Sequence, residues 1–221
     1  MQLITIPTEQ TTAITDAILG LEAFLLAGFF QRFMPVDRLR ARYWQMLLLL
    51  TGLASFQGTV AHGFEMSKGT YELLWKPLLI TLGLIIANIV LVTLYDLCGR
   101  KTAKRACPLL LAMALGFFAI TFIPGVTFLI FIVYEAIGML FALIAYTYLA
   151  ARKKRSGAGI IAMGIVLQIA AAVAQAAGPY EFQVVWSFNH NGIYHLIGMV
   201  ATLIMILGAL KGFRNEERQT V

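Results

Sequence analysis

Three histidines, His62, His190 and His195, are the only imidazoles in the chain, and each lies where an apolar stretch meets a polar one. Three imidazoles at a common level are the ligand set that holds zinc while leaving a fourth position for water. Zinc acidifies such a water and polarises a carbonyl, and a nearby carboxylate then acts as base, which is the chemistry of amide and ester hydrolysis. The other use of the same side chains is structural, since histidines at helix ends also bond loop carbonyls. Spacing bears on the choice. In the segment HNGIYH, residues 190–195, positions i and i+5 lie about 140° apart on a regular helix. His190 therefore joins a common site only if the helix proper begins after it. Asn191, four residues before His195, shares its face and is a candidate ligand or a donor behind the ligands. His62 and His195 are thus the favoured metal pair, with His190 as the third member.

Other polar residues fall within reach of that chemistry. Ser55 precedes His62 by two helical turns on roughly the same face, where it either bonds water or substrate below the metal or bonds its own helix carbonyl. Glu72 is the candidate base, and its alternative is a pair with Lys76 at i+4. Glu22, Glu135 and Gln168 lie deeper in apolar sequence, where ionisable groups face a bundle interior or a cavity and need a partner or a proton.

The elements that position these residues follow from composition. With 60% apolar and 13% charged residues, the chain lies far from the roughly 25% charged share of a soluble domain. Apolar stretches run over about 12–34, 43–64, 73–96, 106–123, 125–150, 157–178 and 190–211, each near the roughly 20 residues needed to span a bilayer. The expected fold is all-α: one domain over residues 1–221, a bundle of seven transmembrane helices. The N-terminus carries no Lys or Arg before Arg32, so the first stretch reads as a retained helix rather than a cleaved signal. Cys98 and Cys107 read as a reduced pair.

Direction follows from the cations. Of 17 basic residues, 15 cluster in the first, third and fifth connections and the tail, leaving Lys68 and Lys76 for the other face. Basic residues in short loops stay cytoplasmic, so the N-terminus is expected outside and the C-terminus inside, in the cell inner (plasma) membrane. The net charge of +6 is accounted for by this bias and by anionic lipid, so it indicates no nucleic acid. On this topology the three histidines, Asp16, Glu65, Glu72 and Gln175 share the outer layer. Tyr43, Trp44, Trp75 and Trp186 fit interfacial anchors.

The segments ASFQGTVAHGF, YELLWKP and NHNGIYHLIGMV, with seven spans, resemble the membrane-hydrolase superfamily of alkaline ceramidases, adiponectin and progestin receptors and haemolysin III-like proteins. That resemblance implies a zinc-dependent hydrolase with Ser55 and His62 on helix two, Glu72 at the start of helix three where the family has aspartate, and His195 on helix seven. The family's serine stands four residues before its histidine, where this chain has Gly58. A strict alignment of helix seven puts Asn191 at the first histidine. The FNHN element, residues 188–191, is also similar to that of a group of small bacterial seven-helix proteins with no established activity.

Two functions are expected from these features. The first is zinc-dependent cleavage of an amide or ester bond of a membrane lipid at the outer leaflet. The second is a sensor or transporter with a polar intramembrane path through Glu22, Glu135, Gln168 and Asn88. A third, haem held between His62 and His195, ranks last because haem electron carriers need a second site across the membrane.

Overall fold

Inside a bilayer no water is available to bond the backbone, so long apolar segments satisfy their amides as helices. The structure, a computed structural model, describes residues 2–220 and has seven of them. They are α1 (Pro7–Phe29), α2 (Arg38–Gly63), α3 (Lys68–Cys98), α4 (Arg100–Ile120), α5 (Leu129–Ala151), α6 (Ala158–Ala176) and α7 (His190–Thr220). A 3-10 turn, Phe30–Phe33, prolongs α1. Six of the helices are long and apolar enough to cross a membrane; α2, which carries Gln45, Gln57 and three arginines, is not among them. Large apolar side chains cover the outside of the bundle, with Ile137 66% and Ile144 70% exposed. Such a surface is stable against lipid and not against water. The chain is a membrane protein.

Helix ends depart from the apolar stretches for local reasons. The second helix starts at Arg38 rather than 43 because Asp37 caps it, accepting the Arg40 amide at 3.2 Å. The third begins at Lys68 instead of 73, with Ser67 capping Thr70 at 3.2 Å. The fifth begins at Leu129 and not 125, since Pro124 and Gly125, the latter at φ +84°, turn the chain. The last runs well past 211 because a helix leaving the bilayer continues in water through its polar tail. The connection expected as the loop GPYEFQVVWSFN is instead a hairpin of β3 (Glu181–Gln183) and β4 (Ser187–Asn189). At the same end β1 (Gln2–Leu3) pairs with β2 (Phe64–Glu65).

Packing places six helices in a closed ring, in the order α1, α2, α3, α5, α6, α7 and back to α1. The fourth helix lies outside and packs on α3. Within the ring is a cavity of about 160 Å³, lined by all six ring helices and by no residue of α4. Small residues let the helices approach, as at Gly164 of α6, where an added Cβ would come 2.8 Å from the Ala201 carbonyl of α7.

The end opposite the histidines is closed by aromatic and ionic packing. Trp44 is fully buried, stacked on Phe30 at 6.2 Å, so it is a core residue and not an interfacial anchor. Arg40 is fully buried as well: its Nε lies 2.7 Å from Asp96 Oδ1, its Nη1 donates to Glu216 at 2.9 Å, and its guanidinium sits 4.3 Å above the Phe213 ring. Tyr146 donates to the other Asp96 oxygen at 2.9 Å, and Arg155 bridges Asp96 and Glu216. Two arginines expected to act as orientation signals thus tie α2, α3 and α7 together. Asn88, expected on a polar path, donates to the Tyr43 carbonyl at 2.7 Å and does not line the cavity.

Candidate functional site

Two carboxylates of α1 organise the histidine end. Glu9 and Asp16 are seven residues apart, two turns on one face, with Thr8, Thr12 and Thr15 making a polar stripe beside them. Asp16 is 4% exposed, and its Oδ1 lies 3.2 Å from Nε2 of His195. It fits because α2 presents Gly58 there: a Cβ at that position would overlap the Asp16 carboxylate. The glycine standing where the resembled hydrolases carry serine therefore has a steric reason. Glu9 accepts His62 Nδ1 through Oε2 at 2.6 Å and Asn189 Nδ2 through Oε1 at 2.9 Å.

Asn189 in turn starts α7. Its Oδ1 accepts the amides of Asn191 and Gly192, both at 3.0 Å, and the Thr12 hydroxyl at 2.9 Å. It is the N-cap of the helix, a role worth about 0.5–2 kcal/mol. The FNHN element is thereby accounted for as a capping segment. The helix begins at His190 itself, so His190 and His195 face apart; the His190 ring lies 6.3 Å from that of Tyr180. Asn191 accepts Gln175 Nε2 at 2.9 Å, joining α6 to α7, and Gln168 Nε2 donates to the Tyr194 hydroxyl at 3.1 Å.

Proton counting at His195 is informative. Thr15 Oγ1 lies 3.2 Å from Nδ1, and its single hydroxyl proton also has the Thr11 and Thr12 carbonyls, at 3.0 and 2.9 Å, as acceptors. With that proton on a carbonyl, Nδ1 donates to Thr15; with it on Nδ1, Nε2 donates to the Asp16 carboxylate. In either arrangement one proton lies between Nε2 and Asp16. Below this pair the cavity meets Glu135, 5% exposed, whose Oε2 has no hydrogen-bond partner among the described residues. The indole nitrogens of Trp44 and Trp75, on two other cavity walls, are also without one.

The remaining expected residues are partly assembled here. His62, His195, Ser55, Asn191, Gln168 and Glu135 line the cavity. Glu72 does not; its side chain is 63% exposed and lies 3.8 Å from Lys68 rather than against Lys76, which donates to the Thr121 carbonyl at 3.0 Å. Glu22 is half-buried outside the cavity. Sequence reasoning missed Glu9 and the cap Asn189 and underrated Asp16, although the stripe TEQTTAITD, residues 8–16, is too polar for a lipid-facing turn and was the available signal.

The three histidines have separate partners here. Both ring nitrogens of His195 are engaged by Thr15 and Asp16, and among the described residues no three His, Cys, Asp or Glu side chains stand together as a metal cluster.

The sequence profile of DUF6962 matches residues 11–213, from the polar stripe of α1 to Phe213 beneath Arg40. The chain belongs to DUF6962. This is a family of unknown function, so membership in DUF6962 supplies neither reaction nor ligand. Neither a curated protein nor a solved structure matches, and nothing links this DUF6962 chain to the ceramidase and haemolysin III superfamily beyond the short segments quoted above.

Proposed function

We propose that this DUF6962 protein is a non-enzymatic membrane sensor or transporter whose ring cavity takes a small amphipathic molecule and whose Asp16–His195 pair links occupancy to one proton. The observation that carries this reading is the pair itself: two buried titratable groups, 3.2 Å apart, at the wall of the cavity. A volume of about 160 Å³ has room for about ten waters or a short chain with a polar head. Polar atoms at Glu135, Trp44 and Trp75 without protein partners favour an occupant with both donors and acceptors, water included. The hydrolase reading retains Ser55 at the cavity but leaves Glu72 outside it.

The experiment is tryptophan emission of the purified protein on acidification, with zinc content measured on the same sample. Trp44 and Trp75 line the same cavity as the pair, so wild type is expected to respond, and because Trp75 also packs against His62 at 6.2 Å the comparison is made in a His62→Gln background. There Asp16→Asn, which removes the pair's carboxylate, should abolish the response, while Glu72→Gln should keep it. Zinc at one per chain, lost in His62→Ala, would overturn this reading in favour of the hydrolase.

We further propose that the histidine end faces outward and the basic end the cytoplasm of the cell inner membrane. Support comes from the 15 of 17 basic residues outside the histidine end's connections. Cys98 is exposed at the basic end. A membrane-impermeant maleimide should leave it unlabelled in intact cells and label it after lysis; labelling in intact cells reverses the orientation.

A further inference from the structure

At the end of the bundle remote from the histidines, we propose that the pocket between the α5–α6 turn and α7 binds a phosphate ester, carried on an anionic phospholipid or free. The pocket has a volume of about 500 Å³ and gathers Lys153, Lys154, Arg155 and Lys211. One carboxylate, Glu216, lines it, and that group is already held by Arg40 and Arg155. Neither Lys153 nor Lys211 has an ion-pair partner among the described residues, and Lys154 reaches only a neutral phenol, donating to Tyr148 at 2.8 Å. Three lysines thus line a concavity whose own anion is already paired with Arg40 and Arg155, and the balance calls for an anionic occupant.

The walls are built rather than incidental. Gly157, at φ +82°, is the N-cap of α6 and offers no side-chain cap; the Ala158 and Ile160 amides bond the Arg155 and Gly157 carbonyls, and the helix dipole adds a positive end to the same concavity. The turn is pressed onto α7 backbone to backbone: a Cβ on Gly208 would come 2.8 Å from the Gly157 carbonyl, and one on Gly212 would come 3.0 Å from that of Ser156. The cations are therefore mounted on a rigid floor. A phosphoryl group, with several acceptor oxygens at tetrahedral angles, can meet donors arriving from the turn, the helix end and α7 at once, which the two coplanar oxygens of a carboxylate cannot. The site also lies where the apolar parts of α5, α6 and α7 end, the level of lipid phosphates.

The test compares thermal unfolding of the full chain in nanodiscs of phosphatidylcholine with and without phosphatidylglycerol. A parallel series in uncharged detergent compares inorganic phosphate with chloride at equal ionic strength. Wild type should melt several degrees higher with the phosphate-bearing partner in at least one series. Lys153→Ala/Lys211→Ala should lose most of that rise, and these side chains are exposed, so the variant should fold. Lys101→Ala/Lys104→Ala, with equal loss of charge at the same end but outside the pocket, should keep it. Native mass spectrometry should count fewer retained phosphatidylglycerols on the first variant alone. A rise confined to the lipid series assigns the phosphate to a head group, and one in both series to the phosphoryl group itself. No rise in either, or equal losses in the two double variants, overturns the site and leaves the lysines as orientation signals.

Discussion

Arg40→Ala is expected to lower stability by about 3–5 kcal/mol, because removing one member of a buried ion pair strands the other in low dielectric. Asp96, whose side chain is fully buried, would keep the Tyr146 hydroxyl at 2.9 Å and Arg155 at 3.4 Å, the latter too long to replace the 2.7 Å contact with Arg40. Glu216 would lose one of its two arginines, and Phe213 the cation above its ring. The measurement is the thermal midpoint in detergent, together with yield from membranes. Arg40→Met with Asp96→Leu should recover part of the loss, since both members of the buried ion pair go together, while the buried Tyr146 hydroxyl loses its acceptor and Glu216 loses Arg40 but keeps Arg155. A single variant that melts like wild type would show that these ions are hydrated and carry little.

Gly157→Ala should be strongly damaging at the basic end. Gly157 is left-handed, φ +82° and ψ −7°, so the substitution bears a penalty of about 1–2 kcal/mol, whereas Gly99, at φ +84° and ψ 173°, lies in a different region that glycine alone occupies. At Gly99 nothing lies within 4 Å of an added Cβ, whereas at Gly157 it would overlap the Gly208 carbonyl. Backbone cannot rotate away as a side chain can, so α6 and α7 must separate, adding about 1–3 kcal/mol. A fall in stability beyond the left-handed penalty, read from the thermal midpoint, reports the helix contact. A fall no larger than that penalty would mean that the turn moves freely off α7.

Much of the architecture was legible from hydropathy because a bilayer leaves helices as the only solution for long apolar segments in a chain of this kind. The seven elements followed from that, and their ends moved only where a cap such as Asp37 or a turn such as Pro124 and Gly125 intervened. The clustering of polar groups at the histidine end was legible too, since depth along each span can be counted. What could not be counted was rotation about the helix axis. Ser55, Glu72 and Glu22 look alike in a list of polar residues, yet one lines the cavity and two do not.

The three histidines with which the sequence reading begins show where the boundary falls. Sequence by itself determined that they lie at one end of a membrane bundle, because the order of apolar and polar residues sets depth. It also determined the charge asymmetry between the two ends. Only the tertiary structure decided what each imidazole meets: Glu9 for His62, Asp16 and Thr15 for His195, and the tilted ring of Tyr180 for His190. It likewise turned Arg40 from an orientation signal into a buried tie between helices. The physical reason is the same in each case. Burial along the membrane normal depends on local composition, whereas pairing within the bundle depends on which faces six helices turn toward one another when their small residues let them close.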